Sequence, residues 1–430
     1  MLQKITTPKK ADWENLCKRP SLSRKDLDQT VQQVFSEIKR NGDNAVKKYT
    51  NFFDHAIIED LKVSDKEIQE SICLVGEELK KAIALARSNI EKFHTAQIEQ
   101  KQVIETSMGV NCWRESRAIE NIGIYIPGGS APLFSTVLML GIPAKIAGCR
   151  NIILCTPPDK NGIINPIILY VAQLIGITSV YKIGGIQAIG AMALGTETVP
   201  KIDKIFGPGN QFVTAAKQAV LNYGVAIDLP AGPSEVLVIA DKSSNPEFIA
   251  ADLLSQAEHG PDSQVILVSD EETVIDRTIV ALKNQTEDLP RKETVIKALQ
   301  NSKAILLQSI NDCIDFSNLY APEHLILASE DANDFASRIN NAGSVFLGNF
   351  SCESAGDYAS GTNHTLPTNG HAKNYSGVSL DSFVKKITFQ EISREGIQNI
   401  GPAIEILAEA EQLLAHKNAV TLRLKSLRDV

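Results

Sequence analysis

The histidines are the first residues in this sequence whose distribution suggests chemistry. The 430-residue chain has seven of them, and five lie after residue 250: His259, His324, His364, His371 and His416. Imidazole changes its charge near neutral pH and is a common metal ligand. We therefore expect proton transfer or metal binding in the later part of the chain, with His371 as a loop residue that has no task.

Two side chains near residue 258 are spaced so that they could share a cation. The sequence QAEHGP, residues 256–261, ends a predicted helix because glycine and proline commonly terminate helices. Gln256 and His259 are three residues apart, which predicts that both lie on one helical face and could bind one metal ion. A polar helix end, with a histidine favoured by the helix dipole, explains the same spacing. The spacing alone leaves both interpretations open.

An acid and a histidine, Glu323 and His324, are adjacent just before a predicted strand. Such a pair could divide two proton transfers between its members if its loop borders a cleft. An exposed turn with two polar residues is the alternative.

A third candidate region is the stretch of residues 348–375, which is rich in glycine, serine, asparagine and threonine. We expect a structureless loop here, and loops of this length are usually functional or disordered. The loop contains Asp357 and His364, and the Asp357 carboxylate suits zinc in combination with histidine.

Glu411 and His416 lie on the last predicted helical segment, five residues apart. This spacing places them on different sides of a straight helix, so they would converge only if the helix ended or bent near His416. A solvated helix face is the default interpretation.

Three glycine-rich turns bear on a possible cofactor: residues 127–129, 184–185 and 207–210. Each follows a predicted strand and precedes a helix, where backbone N–H groups and the helix dipole suit a phosphate. No turn is a complete Gly-x-Gly-x-x-Gly fingerprint. Ordinary strand–helix turns remain an alternative, and a dinucleotide would bind in an atypical way.

These turns belong to a repeated order of strand, turn and helix, which is typical of parallel sheets with crossover helices. The boundary between two such units is predicted near residues 230–234, and the earlier residues 26–40 and 64–103 each predict a helix. A strand from residue 387 and helices over 395–428 follow the second unit. The predicted strands are residues 121–126, 151–155, 179–183, 204–206, 235–240, 264–268, 304–307, 324–328 and 344–347.

Composition excludes several classes of protein. The chain is too long for one ordinary core, and its net charge of −8 argues against a nucleic-acid partner. No apolar run approaches the roughly 20 residues that cross a bilayer, and the first residues lack the core of a signal peptide. These two features predict a cytoplasmic protein. The seven cysteines are scattered without a Cys-x-x-Cys pair, which predicts reduced thiols and a metal held by N and O ligands.

Taken in order, the motifs closely resemble those of the histidinol dehydrogenase family over nearly the whole chain. The motifs are IYIPGG at 124–129, IFGPGN at 205–210, AGPSE at 231–235, QAEH at 256–259, APEH at 321–324 and the segment 357–364. The resemblance implies an α/β fold of two incomplete Rossmann-like parallel-sheet domains, like that of aldehyde dehydrogenases, with small helical N- and C-terminal parts.

The domain bounds predicted in this way place the zinc and catalytic residues in a first α/β domain of residues 25–120 and 235–380. Residues 121–234 form the second α/β domain, on the NAD side. Residues 1–24 are an N-terminal segment, and residues 381–430 are a tail that contributes to the partner subunit's site.

The resemblance also implies an activity and a set of site residues. The expected reaction is oxidation of L-histidinol to L-histidine through the aldehyde with two NAD+, the last two steps of histidine biosynthesis, in a homodimer with one zinc per subunit. Matching positions give the zinc ligands Gln256, His259, Asp357 and the partner subunit's His416; the acid–base pair Glu323 and His324; the substrate contacts Ser234, His364 and Glu411, besides His324 and the zinc ligands; and the NAD contacts Tyr125, Gln187 and Asn210.

In this scheme His324 takes the alcohol proton, Glu323 deprotonates the water that adds to the aldehyde, and zinc acts as a template for the substrate. Cys112, Cys149 and Cys155 have no histidine within a few residues, so no covalent thiohemiacetal is expected.

Three other functions stay open at this point. One is a paralogue with the same zinc and NAD sites that oxidises another small hydroxylated compound, such as a sulfonated diol. Another is a zinc hydrolase in which His259, Asp357 and Glu323 assemble a metal-bound water without NAD, and the third is a catalytically silent binding protein. His364 and Glu411, which resemble residues that recognise imidazole and amine groups, argue against the first.

Overall fold

The computed structural model describes residues 2–20, 24–128, 132–230 and 232–428. Gly129 of the first glycine turn and Ala231 of the AGPSE motif lie outside the described residues.

The strands alternate with helices through the middle of the chain, as predicted. They are β1 (Gln3–Thr6), β2 (Val103–Ser107), β3 (Val110–Ala118), β4 (Asn121–Tyr125), β5 (Asn151–Thr156), β6 (Ser179–Lys182), β7 (Lys204–Phe206), β8 (Ala226–Ile227), β9 (Glu235–Ala240), β10 (Gln264–Ser269), β11 (Lys303–Leu306), β12 (His324–Ala328), β13 (Ser344–Leu347) and β14 (Val384–Ile392). The predicted strands between residues 121 and 347 agree with these bounds to within one residue.

The helices frame these strands and account for most of the first hundred residues. They are α1 (Trp13–Leu16), α2 (Arg24–Asp54), α3 (Asp65–Leu74), α4 (Glu77–Thr95), α5 (Phe134–Ala147), α6 (Pro166–Leu174), α7 (Gly185–Leu194), α8 (Gln211–Ala219), α9 (Pro246–Ala257), α10 (Glu272–Glu287), α11 (Lys292–Gln300), α12 (Ile310–Tyr320), α13 (Ala332–Ala336), α14 (Glu353–Tyr358), α15 (Arg394–Ala410) and α16 (Leu414–Ser426).

The prediction of one long helix over residues 64–103 is wrong. Helix α3 begins with a capping box between Ser64 and Glu67 and ends before Val75, which has extended backbone angles (φ −96°, ψ 124°). Gly76 then caps the start of α4. The helix-forming composition of the segment hid this break, because a single glycine inside a helical pattern is often tolerated.

The larger sheet has six parallel strands in the order β1-β11-β10-β9-β12-β13. Apolar side chains cover both of its faces, which is the usual environment of a parallel sheet. Strands β10 and β11, which follow β9 in the chain, lie on one side of β9 in the sheet, and β12 and β13 lie on the other side. The direction of progression therefore reverses between β9 and β12.

The second sheet has five parallel strands in the order β6-β5-β4-β7-β8, with its reversal between β4 and β7. Helix α2 packs on α7 and α8 of this sheet, α3 packs on α6, and α4 packs on α5. Helices α2, α3 and α4 thus pack on the helices of the five-stranded sheet, whereas the predicted domain bounds grouped residues 25–120 with the other sheet.

The chain divides into two compact units. One comprises Met1–Ala96 and Ile119–Phe383 and contains both parallel sheets; the other comprises Gln97–Ala118 and Val384–Val430. The second unit is an antiparallel sheet in the order β14-β3-β2 with α15 and α16, and β2 and β3 were absent from the predicted strands. No helix among the described residues is both long and apolar enough to cross a membrane.

Candidate active site

The candidate catalytic residues lie at the amino ends of two adjacent inner strands of the six-stranded sheet. Glu235 is the first residue of β9 and His324 is the first residue of β12, and the two strands pair side by side. Helix α9 runs back from the carboxyl end of β9 toward the start of β10, so Gln256 in its last turn reaches the same edge.

The backbone of Glu235 holds the Glu323–His324 pair in place. Its N–H donates to Glu323 Oε2 at 2.8 Å, and its carbonyl oxygen lies 3.2 Å from His324 Nδ1. Gln256 Nε2 donates to Glu323 Oε2 at 3.2 Å and lies 3.3 Å from the same Glu235 carbonyl. All four residues are buried. The adjacent acid and histidine are therefore an internal pair and not an exposed turn.

These contacts orient the His324 ring. A carbonyl oxygen only accepts hydrogen bonds, so the contact to Glu235 places a proton on Nδ1. In the neutral ring Nε2 then carries a lone pair, and it lies 3.5 Å from Asp357 Oδ1. His324 is thereby set up to accept a proton at Nε2.

A possible metal-binding group lies next to this pair. Ligand atoms of His259, Glu353 and Asp357 all fall within 4.8 Å of one another, the two carboxylates being buried and the histidine exposed. Nitrogen and oxygen donors of this kind suit zinc. No cysteine belongs to the group, and all seven cysteines are free thiols, as the sequence predicts.

Two local predictions about this group are wrong. Residues 348–375 are not a structureless loop, because helix α14 places Glu353 and Asp357 four residues apart on one face. Gln256 and His259 do not share a helical face, because α9 ends at Ala257 and His259 lies in the turn that follows.

Three buried polar atoms in this region have no hydrogen-bond partner among the described residues: Gln256 Oε1, His324 Nε2 and Asp357 Oδ1. Burying such atoms without a partner is unfavourable, so their convergence indicates a polar or charged ligand. Gln256 and Asp357 fit the predicted zinc set on this observation, together with His259.

The charges around His324 act on one another strongly. Burial lowers the pKa of His324, but the Glu323 and Glu353 carboxylates outweigh it and raise the pKa well above its ordinary value. Burial also raises the pKa of Glu353 well above the ordinary range. Burial opposes ionisation of Asp357 too, but the His324 ring, with Nε2 3.5 Å from Oδ1, leaves the pKa of Asp357 lowered. A divalent cation among these carboxylates would instead favour a neutral His324.

Ser234 and His364 border the same group. Ser234 Oγ lies 3.3 Å from His259 Nδ1. His364 is packed between the two halves of the larger unit, with Nδ1 3.0 Å from the Asp357 carbonyl oxygen and Nε2 3.0 Å from Oγ1 of Thr136 in α5. Burial lowers the pKa of His364.

Glu411 and His416 belong to the other compact unit, and both are exposed. Helix α15 ends at Ala410, Glu411 is its C-terminal cap, and Gln412 has a positive φ of 59° before α16 begins. The helical segment is therefore interrupted between the two residues.

A cavity of about 970 Å³ lies at the carboxyl ends of the strands of the five-stranded sheet, and Tyr125 and Asn210 are among its lining residues. Tyr125 ends β4, and Asn210 follows β7, so the cavity opens where the strand order reverses. Ligands of open α/β sheets commonly bind at this position. Asp54 and Lys160 also line the cavity.

The predicted NAD contacts are ordered by local hydrogen bonds. The Tyr125 hydroxyl accepts from the Gly185 N–H at 3.1 Å. Gln187 is fully buried and donates from Nε2 to Asp54 Oδ2 at 2.9 Å. Asn210 Oδ1 caps α8 by accepting from the N–H groups of Phe212 and Val213, both at 3.1 Å.

Three acidic residues of these sites were missed in the sequence: Glu235, Glu353 and Asp54. Glu235 and Glu353 are almost completely buried, and Asp54 is half-buried. Only the AGPSE motif contained a signal, since it ends in Glu235. Nothing in the local pattern marks the other two, because their partners are distant in the chain.

Comparison with known proteins gives full-length similarities. A sequence profile of the family described as "Histidinol dehydrogenase" matches residues 17–424. The chain is 56% identical to the histidinol dehydrogenase of Bacteroides thetaiotaomicron over 428 residues, 100% of both proteins. It is 51% identical to that of Escherichia coli O6:H1 over 417 residues, 96% of this chain and 95% of the relative. A crystal structure of histidinol dehydrogenase from Elizabethkingia anophelis is similar with a TM-score of 0.97 at 65% identity, over 99% of both chains.

Proposed function

This chain belongs to the histidinol dehydrogenase family, and from that premise we propose that its site oxidises L-histidinol to L-histidine in two consecutive steps. It is an NAD-dependent oxidoreductase of histidine biosynthesis. In the first step the alcohol becomes an aldehyde, and in the second the hydrated aldehyde becomes a carboxylate. Each step transfers two electrons to one NAD+. The first step releases one proton, and the second, which ends in the ionised carboxylate, releases two.

The observation that carries the proposal is the convergence of buried polar atoms beside the Glu323–His324 pair. His324 Nε2 lies 3.5 Å from Asp357 Oδ1, and Gln256 Nε2 lies 3.4 Å from His324 Nδ1. The His324 ring thus adjoins Asp357 at its proton-accepting Nε2 and Gln256 at Nδ1, and both of these side chains have a buried oxygen without a hydrogen-bond partner among the described residues. Such a site can hold a cationic or metal-bound group while a neighbouring hydroxyl loses its proton.

In the proposed mechanism the two members of the pair take different protons. His324 Nε2 accepts the proton of the substrate hydroxyl, because Nδ1 is committed to the Glu235 carbonyl. Glu323, held by the Glu235 N–H, accepts a proton from the water that adds to the aldehyde. Tyr125 and Asn210 line the cavity that would hold NAD+, which would be the electron acceptor in both steps.

We propose Gln256, His259, Asp357 and the partner subunit's His416 as the residues that would hold a zinc ion. Zinc in that position would bind the imidazole and amino nitrogens of the substrate as a template. Ser234, His364 and Glu411 are the further proposed substrate contacts, and Tyr125, Gln187 and Asn210 the proposed NAD contacts.

The same proposal includes a homodimer that works in the cytoplasm. Glu411 and His416 are exposed in their unit, which is compatible with a role in another subunit's site. The cytoplasmic location is supported by the seven free cysteines.

The test is to count NADH from purified, zinc-loaded protein that is given L-histidinol and NAD+. We expect two NADH for each histidinol consumed, loss of activity with a chelator and recovery with zinc. A zinc hydrolase would show no NAD+ reduction with any alcohol. Reduction with a sulfonated diol but not with histidinol would identify the paralogous dehydrogenase instead.

A further inference from the structure

Arg19, outside the proposed site, makes a bidentate ion pair with Glu235. Its Nε and Nη2 atoms donate to Glu235 Oε1 and Oε2, both at 2.9 Å. The side chains are 13% and 2% exposed, so the pair is almost completely removed from water. A planar guanidinium matches a carboxylate in this way, and a lysine ammonium does not.

The backbone of Glu235 connects this ion pair to the catalytic groups. Its N–H and carbonyl contact Glu323 Oε2 and His324 Nδ1 at 2.8 and 3.2 Å. Gln256 Nε2 lies 3.3 Å from the same carbonyl. A small displacement of the first residue of β9 would therefore move the partners of all three side chains together.

Arg19 also contacts Tyr320, which lies just before the Glu323–His324 pair in the chain. Its Nη2 donates to the Tyr320 carbonyl at 2.8 Å, and its Cζ lies 3.7 Å from the centre of the Tyr320 ring. The next residue, Ala321, is buried with a left-handed φ of 54°. A non-glycine residue keeps this conformation only where its surroundings enforce it. Arg19 thus restrains the segment that leads directly into Glu323.

We propose that Arg19 is a positioning residue for the reaction, acting through Glu235 and Tyr320 on Glu323 and His324. This inference rests on the proposed function, because it assigns Arg19 to that same site. Arg19 contributes no proton and contacts no substrate. It fixes the distance between the two proton-accepting groups.

The test uses variants that keep the protein folded. Arg19→Lys retains the charge but cannot bond both Glu235 oxygens and the Tyr320 carbonyl. Arg19→Met with Glu235→Gln removes both buried charges together, since Arg19→Met alone would leave a carboxylate buried without its partner. The matched control is Arg87→Gln, because Arg87 also bonds a glutamate, Glu91 at 2.6 Å, and a backbone carbonyl.

We expect kcat to fall on the order of 10- to 100-fold in Arg19→Lys and in the double variant, because small misplacements of catalytic groups have effects of this size. The KM values for histidinol and NAD+ should change less than about threefold, since substrate binding is untouched. A folded variant with kcat within about twofold of the wild type, or with its whole loss in KM, would overturn the proposal.

A spectroscopic measurement separates this inference from the proposed function. The ring signals of His324 can be followed in protein with isotope-labelled histidine, with His324→Asn for assignment. We expect these signals to shift in Arg19→Lys and to stay unchanged in Arg87→Gln. If the wild type makes no NADH from histidinol, the proposed function fails. The His324 signals still decide the positioning role, and an unshifted ring in Arg19→Lys overturns it.

Discussion

Glu323 and His324 are neighbours in sequence, but the surrounding structure gives them different hydrogen-bond partners. Glu323 Oε2 accepts hydrogen bonds from the Glu235 N–H and from Gln256 Nε2. His324 has its Nδ1 at the Glu235 carbonyl, and its Nε2 is without a hydrogen-bond partner among the described residues. The backbone of Glu235 therefore contacts both side chains and fixes them side by side.

Burial and hydrogen bonding also act on Asp54, a carboxyl group that lines the proposed cofactor cavity. Burial raises the pKa of Asp54 to about 6, although the hydrogen bond from Gln187 acts in the opposite direction. A carboxyl group with a pKa raised in the folded state stabilises the fold most below its unfolded pKa of about 3.9. That stabilisation is lost as the pH rises through about 6.

We therefore expect the stability of Asp54→Asn, relative to the wild type, to increase from about pH 4 to about pH 7. The asparagine keeps the shape of the side chain and cannot ionise. Melting temperatures of the cofactor-free proteins across this range would measure the effect. Asp60→Asn, at an exposed position, controls for the change in net charge. A difference between Asp54→Asn and wild type that does not vary with pH would contradict the explanation.

Among the elements, the turn after β7 depends most on its glycine. Gly207 has a positive φ of 128°, and a Cβ atom there would lie 2.0 Å from the Tyr125 carbonyl oxygen. The buried Lys217–Asp228 ion pair holds this turn, because Lys217 donates to the Gly207 carbonyl at 2.7 Å and Asp228 accepts from the Gly207 N–H at 2.8 Å. The turn is thus fixed directly before Asn210.

Gly207→Ala should lower both stability and NAD+ affinity, whereas Gly224→Ala should lower stability alone. Gly224 also has a positive φ, 75°, but has no neighbouring atom within 4 Å of a Cβ. Each alanine incurs roughly 1–2 kcal/mol from its φ, and Gly207→Ala must also displace Tyr125. Urea unfolding and NAD+ titration would measure the two effects. Equal losses in both variants would show that the close approach to Tyr125 is unimportant.

The sequence predicts the strands of the repeated strand–turn–helix order and misses short or exposed elements outside that order. The parallel strands follow from short apolar runs between glycine turns, because both faces of such sheets are buried. Strands β2 and β3 expose much of their surface and lack that signal. Helix α14 has six residues, too few for a helical period to be detected.

The same limit applies within the site. Family resemblance predicts roles for Gln256, His259 and Asp357, but Glu353 carries no motif of its own. Arg19 lies 216 residues before its partner Glu235. Charged side chains are ordinarily placed at the surface, and only the fold reveals that such a pair is internal.

At the scale of the whole chain, the candidate sites of the two parallel sheets lie at opposite ends of their strands. The proposed cofactor cavity lies at the carboxyl ends of the five-stranded sheet, and the proposed catalytic pair lies at the amino ends of the six-stranded sheet. His364, which borders the proposed catalytic pair, contacts Thr136 in the first turn of α5, a helix that follows a strand of the five-stranded sheet. The proposed last zinc ligand, His416, comes from the separate antiparallel unit.

A hybrid dimer would test whether His416 acts in the partner's site. One subunit carries His259→Ala and the other His416→Ala, with different tags that allow the hybrid alone to be purified. In the proposed arrangement the second subunit keeps its own His259 and receives an intact His416, so the hybrid has one complete site. We expect about half the wild-type activity and one zinc per hybrid, although both parent dimers are inactive.

A hybrid of His259→Ala with Asp357→Ala is the control and should stay inactive, because each site then lacks a ligand of its own subunit. A His259→Ala and His416→Ala hybrid that is as inactive as its parents would place His416 in the site of its own chain.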